Sequence, residues 1–188
     1  MSLLIIDNYD SFTYNLVQLV EDNGINNYII LKNDELDAIG KDDFQRVIIS
    51  PGPGVASEAG MLGRFIKTFY VEKSFLGICL GFEALGEFFG AVLKQLDKPL
   101  HGYRNTGKVL TGGGIFKGLP STFNIGHYHS WYFDKRSFPS VLTVDMEDEN
   151  GLIMAFHHNK HSIYGVQFHP ESIMTEFGKI IIGNWLSL

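Results

Sequence analysis

The sequence predicts an α/β fold: a mainly parallel central sheet with helices packed on its faces. Three observations lead there. Short apolar runs rich in β-branched residues recur through the first half, and their length suits buried strands better than helices. Stretches with apolar residues at helical spacing lie between them; this alternation favours βα units and a parallel sheet. At 45% hydrophobic and 19% charged residues, the chain has the composition to fold around a core.

The elements follow in order. Residues 2–6 (SLLII) form the first strand, and the polar DNYDS comes after it. Residues 12–23 place Phe12, Leu16, Leu19 and Val20 close to helical spacing. YIIL at 28–31 and VII at 47–49 are the next strands. Residues 59–70 set Met61, Leu62, Phe65, Ile66 and Phe69 along one helical face. FLGI at 75–78 is a strand, and a helix-like stretch follows it. Past about residue 100 the character changes. Residues 109–110, 121–128, 140–145 and 152–156 read as strands separated by Gly, Pro or charged turns. IYGVQF at 163–168 is a last buried strand, and residues 180–186 belong to a closing helix. No repeat or low-complexity linker divides the chain, so one domain over residues 1–188 is expected.

Charge and cysteine content exclude several classes. Lys and Arg total 15 against 21 for Asp and Glu, a net charge of −6, and no basic run exists. A nucleic-acid partner is therefore not expected. The single Cys79 rules out an internal disulfide or a cysteine-based zinc site. No apolar run reaches the roughly 20 residues of a membrane helix, and the N-terminus lacks the form of a signal peptide. The expectation is a soluble cytoplasmic protein with no membrane contact.

Cys79 is the first candidate for chemistry. It ends an apolar strand and precedes a helix, with Gly77 and Gly81 two residues to either side. Small residues in that frame permit the tight strand-to-helix turn of a nucleophile elbow. The turn is expected to expose the sulfur at a helix N-terminus, where the dipole favours thiolate. A lone cysteine is more often a small buried hydrophobe; the glycine frame reverses that preference. A thiol nucleophile needs a base, and the base needs an orienting acceptor. His169-Pro170-Glu171 follows the last strand, at the sheet edge that carries Cys79 if the strands are parallel. Two residues apart, His169 and Glu171 can project from one side of an extended segment. Pro51-Gly52-Pro53-Gly54 follows another strand; beside Cys79 it would offer one oxyanion donor, with the Leu80 amide as the other. On its own it is a surface turn. The histidines at 157, 158 and 161 come with no acidic ligands of their own, so no metal is expected.

Taken together, DNYDSFTYN, SPGPG, GICLG, HYHS and GVQFHPES, in that order, resemble the class I glutamine amidotransferases over nearly the whole chain. Within that class, DNYDSFTYNLVQ, and the HG at 101–102 followed by HYHSW, resemble anthranilate synthase component II and the closely similar glutamine subunit of aminodeoxychorismate (4-aminobenzoate) synthase. The resemblance implies a flavodoxin-like parallel sheet plus a small antiparallel sheet. It implies L-glutamine as substrate, no cofactor in this chain, and a separate chorismate-using synthase as the partner that receives ammonia. Cys79 is then the nucleophile, His169 its base and Glu171 the orienting acid. Leu80 and Gly52 or Gly54 would supply the oxyanion donors. Ser130 and Trp131 occupy the positions whose backbone holds the glutamine α-groups, and position 83 contacts the substrate.

One departure stands out. The family usually reads G-x-C-L-G-H-Q, and here Phe82 and Glu83 replace the last two residues. A glutamine amide both donates and accepts, whereas an ionised Glu83 only accepts and places negative charge near the thiol. Either Glu83 is protonated or turned to the substrate ammonium and the enzyme is active, or the chain is a weakened, mainly structural subunit. Tryptophan and folate pathways both remain open, as does a free-standing γ-glutamyl hydrolase. HGYRNTG also departs from the family's usual HGKTS.

Overall fold

A computed structural model of the protein describes residues 2–188. Along the chain run β1 (Leu3–Asp7), α1 (Thr13–Glu21), β2 (Tyr28–Lys32), β3 (Arg46–Ile49), α2 (Leu62–Phe69), β4 (Ser74–Ile78), α3 (Leu80–Phe88) and β5 (Leu93–Gln95). The second half carries β6 (Tyr103–Val109), β7 (Thr122–His127), β8 (Trp131–Phe133), β9 (Leu142–Asp148), β10 (Ile153–His158), β11 (Ile163–Val166) and α4 (Gly178–Ser187). Nine strands form one sheet in the order β2-β1-β3-β4-β11-β10-β9-β6-β7. The first five pair in parallel; β10, β9, β6 and β7 continue the sheet antiparallel. β5 and β8 make a separate antiparallel pair.

Strand periodicity explains the two-sided core. In β1, Leu3 and Ile5 enter one apolar cluster, while Leu4 and Ile6 enter the other, as alternation along a strand requires. The first cluster takes Leu16, Val17 and Val20 from α1 and Ile181, Ile182 and Trp185 from α4. The second takes Leu62, Phe65 and Ile66 from α2 and Leu80, Phe82 and Leu85 from α3. Each such side chain, fully buried, contributes roughly 1.5–3 kcal/mol of transfer free energy. Because β1, β3, β4 and β11 are parallel, the loops after them gather at one sheet edge, the place where open α/β sheets hold their ligands.

The second half differs from its sequence reading. The antiparallel strands after residue 100 extend the main sheet, and the small separate sheet is only the β5–β8 pair. The strand expected at 109–110 ends at Val109 and begins as early as Tyr103. Its buried positions are Asn105 and Gly107, so no apolar alternation marks it. β5 and β8, three residues each, carry too little pattern to be read. The last strand ends at Val166, short of residue 168, although Gln167 and Phe168 stay buried. α2 begins at Leu62 and not at 59, since Gly60 at φ +52° breaks the helical path.

Candidate active site

The turn from β4 into α3 is built by close approach. A Cβ on Gly77 would lie 2.3 Å from the Gly81 carbonyl oxygen, and one on Gly81 would lie 2.5 Å from that of Ile49. Only hydrogen fits at both positions. Between them Cys79 takes φ +50° and ψ −105°, a region that costs a non-glycine residue about 1–3 kcal/mol. The strain is held by two backbone bonds, Cys79 N–H to the Val166 carbonyl and Glu83 N–H to the Cys79 carbonyl, each 2.9 Å. Contrary to the sequence expectation, the thiol is not exposed: Cys79 is 7% accessible and sits at the floor of a cleft of about 450 Å³.

Gly52 and Gly54 line that cleft together with Glu83, Ser130 and Trp131. The loop at 51–54 is fixed from behind by Asn8. The Asn8 backbone N–H donates to Ser50 Oγ (2.9 Å), and Asn8 Nδ2 donates to the Ser50 carbonyl (2.8 Å). Gly52 closes on the same residue; a Cβ there would meet Asn8 Cβ at 2.5 Å. Asp7 is buried one residue earlier, paired with Lys32 and accepting from Thr13 Oγ1 at 2.9 Å. The DNYDS segment thus braces the loop, a role its polar composition did not reveal.

His169 and Glu171 are brought together by a turn and not by an extended strand. The His169 carbonyl accepts from Ser172 N–H (3.2 Å) and Thr175 Oγ1 (2.6 Å). His169 Nδ1 lies 2.6 Å from Glu171 Oε1. Both side chains are buried, and His169 Nε2 has no protein partner. Tyr128 meets the imidazole edge-on at 4.8 Å and Phe12 at 6.3 Å, which limits how the ring can turn. The arrangement provides a thiol on a fixed turn, and an imidazole oriented at one nitrogen and available at the other.

The chain matches the family Glutamine amidotransferase class-I over residues 4–187. The chain belongs to the class I glutamine amidotransferases. It is 41% identical to anthranilate synthase component 2 of Lactococcus lactis, over 98% of this chain and 93% of that protein. It is 39% identical to anthranilate synthase component 2 of Pyropia yezoensis, over 98% of each. Among solved structures, a Thermoplasma acidophilum protein assigned provisionally to GMP synthase superposes with a TM-score of 0.88 at 25% identity, over 100% of this chain and 92% of that one.

In this amidotransferase the electrostatics at the thiol are unusual. Burial pushes the Cys79 thiol well up, the negative charges of Glu83 and Glu171 push the same way, and the Leu80 N–H opposes them. The dipole advantage expected at the start of α3 is thus outweighed by desolvation. Glu83 is itself buried, which raises its carboxyl to about 7 against the pull of Gln167. Gln167, which the sequence reading did not single out, touches both groups. Its Nε2 donates to Glu83 Oε1 at 3.0 Å and contacts Cys79 Sγ at 3.8 Å, and its Oε1 is buried without a partner. A polar residue at the end of an otherwise apolar strand was the available signal. The remaining histidines resolve differently. His158 Nδ1 accepts from the Lys160 and His161 amides, and His157 pairs with Asp145 at 2.8 Å. Among the described residues no cluster of three or more His, Cys, Asp or Glu side chains is arranged to hold a metal ion. No described helix is long and apolar enough to cross a membrane.

Proposed function

We propose that this chain is the glutaminase subunit of a chorismate-using synthase, with anthranilate synthase, and so tryptophan biosynthesis, as the favoured pathway. Two observations support the proposal: Cys79 is held strained and buried at the start of α3, and His169, oriented by Glu171, keeps its Nε2 without a protein partner. Family membership supports the reaction class, and the component 2 names of the relatives support the pathway.

The chemistry follows from the parts. Cys79 Sγ attacks the side-chain amide carbon of glutamine while its proton passes to His169 Nε2. With the thiol pushed up by burial, coupling attack to proton transfer avoids a free thiolate. Amides of Leu80 and of Gly52 or Gly54 receive the oxyanion. The carbon–nitrogen bond breaks, His169 returns the proton to the leaving nitrogen, and ammonia departs to the partner. Water, deprotonated by His169, then cleaves the thioester and releases glutamate. Glu171 holds the imidazole in the tautomer this requires. Backbone groups of Ser130 and Trp131 position the glutamine α-groups. Asp10, Ser11 and Tyr128, at the same sheet edge, are the proposed partner-facing residues.

Glutamate release by the purified chain, alone and with each chorismate-using synthase of its organism, tests the proposal; the aromatic product names the pathway. Cys79→Ser is expected to abolish glutamine-dependent synthesis and to leave ammonia-dependent synthesis by the complex intact. Loss of both in a bound complex would overturn the assignment. Glu83 favours a second reading, a weakened subunit that mainly stabilises its synthase. On that reading, glutamine gives no product with any bound partner although ammonia does, and Phe82→His with Glu83→Gln restores it.

A further inference from the structure

A chain of buried hydrogen bonds runs behind the cleft and does not balance in protons if its members are neutral. His127 Nε2 lies 2.5 Å from Asn105 Oδ1, His127 Nδ1 lies 2.9 Å from His129 Nε2, and His129 Nδ1 lies 2.7 Å from the Trp131 carbonyl oxygen. Both ends accept. The carbonyl has no proton to give. Asn105 is fixed in orientation because its Nδ2 donates to Asp148 Oδ2 at 3.0 Å. Asp148 also accepts from the Asn150 and Leu152 amides at 2.9 and 2.8 Å, as an ionised carboxylate does. Three bonds between these acceptors need three N–H protons, and two neutral imidazoles carry only two.

We infer that His127 and His129 share a third proton, so that the pair is a buried imidazolium behind the substrate cleft, placed to attract the carboxylate of the substrate. The groups facing the pair are Asp148 through Asn105, which favours the charge, and His169, which opposes it when protonated. Burial opposes it most strongly, and with these neighbours included it pushes the pKa of each ring down to about 4. Against this stands the geometry of the neutral alternative, a ring lone pair aimed at a carbonyl lone pair across 2.7 Å, which forfeits a hydrogen bond. The surroundings supply the use. No Lys or Arg is among the described residues lining the cleft, whereas Glu58 and Glu83 are. An amino-acid substrate entering there brings a carboxylate, and His129 lines the cleft with its neighbours Ser130 and Trp131. The pair is a positioning device; this part rests on the glutaminase reading.

Long-range proton–nitrogen correlation of the histidine rings in the whole 15N-labelled chain at pH 7 counts the protons directly and needs no variant. Three N–H protons across His127 and His129 are expected. Two neutral, single-tautomer rings would overturn the inference. The carboxylate role is read by calorimetry on the Cys79→Ser chain with L-glutamine and L-glutaminamide, which lacks the α-carboxylate. Glutamine is expected to bind at least about tenfold more tightly. His127→Gln should erase that preference and His127→Arg, which keeps the charge, should preserve it. An undiminished preference in His127→Gln, or no preference in the parent, would refute the role. Charged rings in a chain that never releases glutamate with a bound partner would instead remove the glutaminase reading alone.

Discussion

The two halves of the sheet handle polar groups in opposite ways. In the parallel half, β1, β3, β4 and β11 are apolar along their buried lengths, and polar side chains wait until the strands end: Asp7 and Asn8, Ser50, Cys79, Gln167 and His169. In the antiparallel half buried polar groups also lie inside the strands: Asn105 within β6 and Asp145 within β9, besides His127, Asp148 and His158 at the last positions of β7, β9 and β10. The first half makes its contribution to the site by backbone shape, through glycines and one strained φ. The second makes it by hydrogen-bonded side chains, whose cost of burial is offset only when every partner is present.

The most damaging single change is expected in the shaped half. Gly81→Ala drives a methyl group to within 2.5 Å of the Ile49 carbonyl oxygen and 2.8 Å of Ile49 Cβ. Neither atom can move without opening β3, so the loss should be on the order of 4 kcal/mol, read as a lower urea midpoint at unchanged slope. A loss below about 1 kcal/mol would mean that the elbow is not tightly built.

Next comes Glu83, whose signature is a pH window. Its carboxyl is raised from 4.5 to about 7 in the folded chain. Below pH 4.5 both states hold the proton and burial of the group carries no ionisation penalty. Between 4.5 and about 7 the unfolded chain releases the proton while the folded chain keeps it, so stability falls as pH rises. Glu83→Gln lacks this term. It should match the parent at about pH 4 and exceed it by roughly 3 kcal/mol at about pH 8, in unfolding curves taken at both values. Equal stability at the higher pH would show that the carboxylate finds a charged partner.

Asn105→Leu probes the polar half. It strands the His127 Nε2 proton and removes one donor from Asp148, for an expected loss of about 2 kcal/mol. If the change were neutral, the thread from Asp148 to Trp131 would not be a unit, and the contrast between the halves would fail. Surface charges calibrate the scale. Arg64→Ala, which breaks an exposed pair with Asp37 in the parallel half, should leave the urea midpoint unmoved within error; a clear shift would place part of the difference between the halves outside the core.

The same contrast decides what the sequence made legible. Runs such as LLII and FLGI announce their strands because both faces are buried. The tight turn at Cys79 and the closeness of His169 to Glu171 were readable from the glycine spacing and the two-residue separation, although the thiol is buried and a turn, not an extended segment, joins the other two. β6 was not, since a strand that buries Asn105 and Gly107 has no hydrophobic period. For the same reason the His127–His129 chain was invisible: its logic is a proton count across β6, β7 and β8, and strand registry supplies it. Gln167 was hidden by its neighbours, a polar side chain in an apolar run whose partner Glu83 lies 84 positions away.

The sheet order has a consequence for a chain emerging from the ribosome. β11 is the last strand made, yet it lies in the middle, between β4 and β10. Until Ile163–Val166 has been synthesised, two edges stay open and no residue can close them. His169 arrives three residues after that strand. Unfinished polypeptides therefore carry Cys79 without the imidazole that the proposed mechanism requires, and those same open edges offer a holding chaperone an extended segment to grip.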